Sequence, residues 1–195
     1  MQFDLVLPFL LNKLKHELPP TLKYHNVAHT EDVLHAAQEI AHAEQVAGQD
    51  LTVLLTAALF HDTGFMVSNV NHEHISCAIA DRYLPQFNYP NSTIGDIKTL
   101  IMATCVPQKP QDHLQQIICD ADLDYLGRDD FFATSERLYE EMLALHQVSS
   151  KRDYMNLQIA FLQEHHYFTD TSKRLRNPKK EKHLQTIKKN YLNIP

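Results

Sequence analysis

Residues 51–60 read Leu-Thr-Val-Leu-Leu-Thr-Ala-Ala-Leu-Phe and are apolar around nearly the whole circumference of a helix. A helix with no polar face has to be enclosed by other elements. This one, with Asp50 as its expected cap, runs directly into His61-Asp62-Thr63-Gly64. An imidazole and a carboxylate therefore leave the centre of the core together. Burying an ionised carboxylate without a partner costs several kcal/mol, and no Lys or Arg lies near Asp62 in sequence. Asp62 needs a cation, either a metal ion or a distant arginine.

The remaining segments have the amphipathic spacing that such an enclosure requires. The pattern predicts helices over 3–16, about 26–47 with Gly48 as the stop, 71–84 capped by Asn71, and about 93–104. Further helices are expected over 112–126 up to Gly127, over 130–147 capped by Asp129, and over 151–166 behind Ser149 or Ser150. Pro178 is expected at the first position of a last helix. Strand alternation is absent, so the expected fold class is all-α, with residues 1–195 as a single domain.

Composition narrows the function. Only 4 glycines are present, with no phosphate-cradling Gly-rich loop, and the longest apolar runs, such as 5–11, fall far short of the ~18 residues of a membrane span. Cys77, Cys105 and Cys119 form no CxxC pair and read as reduced, buried thiols. With no basic leader at the N-terminus, a cytoplasmic location is expected. The net charge of −6 is uneven: residues 171–195 carry 8 Lys and Arg against 1 acid, the rest 10 against 23. An acidic body argues against general nucleic-acid binding, and the basic tail reads as a solvated helix.

Thirteen histidines are many for this length, and two of them, His25 and His29, are four apart on a stripe continued by Val33, Ala36 and Ile40. A third group follows the apolar Ile117-Ile118-Cys119, where Asp120, Asp122 and Asp124 sit two residues apart. Taken alone, that run also reads as a capped turn. Taken together, His29, His61, Asp62 and Asp122 supply two imidazoles and two carboxylates. That donor set suits Mn, Fe, Co, Ni, Zn or Mg with exchangeable water in the open positions.

The order His29, then His61-Asp62, then Asp122 resembles the His…His-Asp…Asp signature of the HD superfamily of metal-dependent phosphohydrolases. The resemblance covers about residues 22–127 and implies an all-α, HD-domain-like helical bundle with a central metal site, followed by a helical C-terminal extension over about 130–195. Residues 24–33, Tyr-His-Asn-Val-Ala-His-Thr-Glu-Asp-Val, are similar to a block of the class I cyclic-nucleotide phosphodiesterases. That similarity implies His29 as a metal ligand and His25 as the general acid for the leaving oxygen, with Asp62 taking part in catalysis. Those enzymes carry a further histidine where this chain has Phe65. His72 falls where two-metal relatives place an extra ligand. His72, Glu73, Thr104 and Lys109 are thus candidates for a second metal or for substrate, although Asn71, His72 and Glu73 equally suit helix capping. Lys109, Arg128, Arg174 and Arg176 are candidate phosphate clamps. The implied activity is hydrolysis of a phosphate ester of a nucleotide or related small metabolite. The alternatives are an HD-fold iron oxygenase and a non-catalytic nucleotide-sensing module.

Overall fold

The computed structural model describes residues 1–191, and their helices follow in chain order as α1 (Phe3–Glu17), α2 (Val27–Ala43), α3 (Gly48–Phe60), α4 (His72–Tyr83), α5 (Asn91–Ala103), α6 (His113–Asp122), α7 (Phe131–Ala144), α8 (Lys151–Glu164) and α9 (Asp170–Tyr191). Short 3-10 turns occupy Thr63–Met66, Leu84–Phe87 and Asp124–Gly127. No strand occurs among the described residues, so the all-α expectation holds. No helix among them is long and apolar enough to cross a membrane.

Every residue of α3 from Val53 to Phe60 is buried, and α2, α5 and α6 pack around it. Together with the inner faces of α1 and α4 they form one apolar cluster that includes Leu10, Val33, Leu54, Leu59, Ile97 and Ile117. A second cluster joins Tyr24, Leu123, Tyr125 and Leu126 to Phe131, Met155, Leu162, Tyr167 and Ile187 from the C-terminal helices. The last residues of α3 and α6 meet the first turn of α2 at the seam between them.

The boundaries differ from expectation in ways that have local causes. α2 stops at Ala43 rather than near 47, because Gln45 takes the left-handed conformation (φ 63°). The N–H groups of Gln45 and Val46 then donate to His42 and Ala41 carbonyls at 3.2 and 2.8 Å, the Schellman arrangement. Gly48 therefore opens α3 instead of closing α2, and Ala47, not Asp50, holds the cap position. His146 (φ 56°) ends α7 in the same way. The 112–126 stretch breaks at Leu123 into α6 and a 3-10 turn.

Pro178 lies inside α9 rather than at its start. The helix is nucleated earlier, where Thr169 Oγ1 accepts from Ser172 N at 3.1 Å and Glu44 accepts from Thr171 N at 3.0 Å. It is also pressed onto the 124–127 turn: a Cβ on Gly127 would lie 2.5 Å from the Arg176 carbonyl oxygen. With His183 Nδ1 donating to the Leu126 carbonyl at 3.0 Å and Ile187 buried beyond it, contacts on both sides of the proline outweigh the hydrogen bond it removes.

Gly64 fixes a contact that matters for the site. Its N–H donates to Ser76 Oγ at 2.8 Å, and a Cβ there would meet the His72 carbonyl oxygen at 2.0 Å. Backbone would have to move. Gly64→Ala is therefore expected to cost about 2–3 kcal/mol, read as a lower urea midpoint at unchanged slope; an unchanged midpoint would mean that α4 can shift freely away from the 63–66 turn.

Candidate metal centre

α2 carries His29 on its buried stripe, one turn after its cap: the Asn26 side-chain oxygen accepts from Ala28 N and His29 N at 3.0 and 3.3 Å. His61 ends α3 and is only 1% exposed. Its Nδ1 donates to the Ala58 carbonyl at 2.7 Å. That bond fixes the tautomer and leaves Nε2 as the free donor atom. The two imidazoles face each other, Nε2 to Nε2, at 3.4 Å.

Two carboxylates flank that pair. Asp62 Oδ2 lies 3.3 Å from His29 Nε2 and 3.2 Å from His61 Nε2. Asp122 Oδ1, at the end of α6, lies 3.5 and 3.6 Å from the same two nitrogens. Donors bound at about 2.1 Å to one ion stand about 3.0–3.4 Å from their neighbours. These five separations are close to that, and His29, His61 and Asp122 offer atoms all within 4.8 Å of one another. The residues fit a divalent ion.

Burial would lower both imidazoles and raise both carboxylates, but their mutual attraction outweighs it. His61 is held well above the usual imidazole range and His29 is raised. Asp62 is held well below the carboxylate range, and Asp122 falls to about 2. The four groups thus stabilise one another's charged forms.

The three acids of the 120–124 run diverge. Asp120 accepts from Phe168 N, Thr169 N and Thr169 Oγ1 at 2.8, 2.8 and 2.7 Å. Asp124 pairs with Arg176 Nε at 2.6 Å. Only Asp122 of the three reaches the imidazoles, and Gln108 Nε2 lies 3.5 Å from its other oxygen.

A cavity of about 390 Å³ opens beside these groups. His25, Asp62, His72, Glu73, Thr104 and Asp122 line one side. The His25 ring stacks on Phe65 at 4.1 Å, and its Nδ1 donates to Glu141 Oε1. Glu141, 1% exposed, also accepts from Tyr24 N and His25 N at 2.8 and 3.0 Å. Burial pushes the Glu141 carboxyl up, yet His25 and these two N–H groups bring it below its ordinary value. His72 Nε2 stands 3.3 Å from Asp62 Oδ1 and 3.5 Å from Glu73 Oε1. Thr104 is buried at the cavity with its hydroxyl donating to the Ile101 carbonyl at 2.8 Å.

The HD domain family matches residues 26–124, just over half of the chain. The protein belongs to the HD domain family. The matched HD segment contains His29, His61, Asp62 and Asp122, whereas His25 and Glu141 fall outside it. The fold of this HD protein is similar to that of Bacillus subtilis YpgQ in complex with ADP, with 19% identity, TM-score 0.66, and coverage of 100% of this chain and 98% of that one. It is also similar to a predicted HD superfamily hydrolase from an uncultured Thermotogales bacterium, with 19% identity, TM-score 0.62, and coverage of 96% and 92%. Among curated proteins, none matches this sequence.

Around the HD site, the expected phosphate clamps go elsewhere. Lys109 is exposed on the 105–112 loop and does not line the cavity, because its neighbour Gln108 is the residue that turns inward to Asp122 and the Cys119 carbonyl. Arg128 is tied to Asp32 and Asp130, both at 2.7 Å, and Arg176 to Asp124; Arg174 is exposed. Glu141 is the residue that sequence reading missed. Its signal was an acid on the buried stripe of α7, in step with Phe131, Thr134 and Leu138.

Proposed function

We propose that this HD protein is a metal-dependent phosphohydrolase acting on a phosphate ester of a nucleotide or related small metabolite. The reading is carried by one observation: two imidazoles and two carboxylates, 32 to 93 residues apart from His29 onward, crowd to 3.2–3.6 Å at the edge of a cavity that also presents His25. The ADP bound by YpgQ, a fold neighbour, supports a ligand in which a phosphoryl group is joined to an organic group.

His29, His61, Asp62 and Asp122 would hold the ion. A divalent ion there supplies a water acidic enough to act as nucleophile near neutral pH and offsets charge on the phosphoryl oxygens. His25 Nδ1 donates to Glu141, which leaves Nε2 as the atom that would pass a proton to the leaving oxygen. Donation of that proton as the ester bond breaks prevents a free alkoxide from forming. Glu141 fixes the ring in that orientation through three hydrogen bonds that also tie down the 24–25 backbone. Asp62 shares its two oxygens between the ligand set and His72, and so sets the spacing of the two histidine groups.

The test is a panel of phosphomonoesters, cyclic nucleotides and nucleoside phosphates with Mn, Co, Ni, Mg and Zn. Turnover that vanishes on chelation and returns on adding one of these ions under anaerobic conditions is the expected result. Turnover that survives chelation, or that needs oxygen, would overturn the reading.

A further inference from the structure

The wall of the cavity opposite the metal centre has a different chemistry. It is mainly apolar, built by Leu138 and Met142 of α7 and Leu157 and Phe161 of α8, while the polar atoms of Tyr154 and Gln158 on α8 are hydrogen-bonded to Ser135. Among the described residues, no Lys or Arg lines this cavity. Arg128 and Arg176, which meet at Asp124 on the 124–127 turn, are held in ion pairs with Asp32, Asp124 and Asp130. At the rim, Leu157 is 51% and Val106 62% exposed, so apolar surface is presented to solvent where a ligand would enter.

These facts decide what can sit beside a phosphoryl group anchored at the metal centre. The metal ligand set, His25 and His72 are the polar groups available to that first phosphoryl. A second phosphoryl laid along the Leu138–Phe161 side would bring a charge against a mainly apolar wall with no Lys or Arg to meet it, a costly arrangement. An uncharged ring or aliphatic group in the same place removes apolar surface from water on both sides. Apolar pockets with a few convergent polar groups at one end, of this volume, are the common form of a small-molecule site.

We propose that the Leu138, Met142, Leu157 and Phe161 wall is the subsite for the organic group of the ester, and that it takes an uncharged aromatic or aliphatic group joined directly to phosphorus through one oxygen. The preferred substrate is then a phosphomonoester or diester with an apolar leaving group, not a nucleoside di- or triphosphate. This assignment rests on the phosphohydrolase reading, but it concerns residues of α7 and α8 that lie beyond the HD match at 26–124.

Two inert ligands of equal charge isolate the wall: methylphosphonate and phenylphosphonate, titrated calorimetrically into the Mn-loaded full chain. Phenylphosphonate is expected to bind roughly tenfold tighter or more. Leu157→Arg, at a half-exposed position where folding is not at stake, should cut that preference to roughly threefold or less and raise ADP affinity. In hydrolysis, phenyl phosphate should exceed ADP in kcat/KM for the wild type and lose ground in Leu157→Arg. Equal affinity for the two phosphonates, or a wild type that prefers ADP to phenyl phosphate, would overturn the subsite. A retained ring preference with no ester hydrolysed under any metal would sustain the subsite and overturn the phosphohydrolase reading instead.

Discussion

Asp62→Ala is expected to yield folded protein that retains no divalent ion and loses roughly 10³-fold or more in kcat/KM, since the several kcal/mol that an ion gives a phosphoryl transition state go with it. Elemental analysis and phosphate release read the two losses side by side. Hydrolysis at the wild-type rate in a metal-free Asp62→Ala protein would refute the assignment. Uptake of the ion by the wild type is also linked to protons. Burial draws His29 and His61 down, but the neighbouring carboxylates outweigh it and raise both, so the imidazoles of the metal-free protein carry protons that an ion must displace. Affinity for Mn should accordingly rise with pH and fall as the medium becomes acidic, with a binding heat that depends on the buffer. An affinity that is flat between about pH 6 and 8 would count against this coupling.

His25→Asn is expected to bind the ion normally and to lose about 10²–10⁴-fold in kcat. The diagnostic is the leaving group. An ester that departs as p-nitrophenolate needs no proton, so the loss should shrink for it and stay large for an alkyl ester. A loss independent of leaving group would remove His25 from the acid role. Glu141→Gln should give a smaller version of the same pattern, about tenfold or more in kcat for alkyl esters with metal content intact, because the ring loses its ionic anchor and not its presence.

Much of the fold was legible because burial of α3 is written in residues 51–60 directly, and its exit through His61-Asp62 put an imidazole and a carboxylate in the core without any tertiary information. His29 followed from a helical stripe. Asp122 could not be separated from Asp120 and Asp124 by local sequence, since the partners that claim the other two, Thr169 and Arg176, lie some 50 residues away. Glu141 was hidden for the same reason: its partner His25 is 116 residues distant. The helix ends at Gln45 and His146 escaped notice because the left-handed stop is usually sought at glycine. Pro178 sits inside α9 because contacts at Thr169 before it and at His183 after it hold the helix in place, and local propensity carries neither.

The bonds from Glu141 to the Tyr24–His25 backbone have a consequence for how the protein matures. A nascent chain that has just passed residue 130 already carries His29, His61, Asp62 and Asp122, yet lacks the carboxylate that anchors His25 and one side of the cavity. The carboxylate that holds His25 and the α7–α8 wall of the cavity are thus both supplied by the last third of the polypeptide.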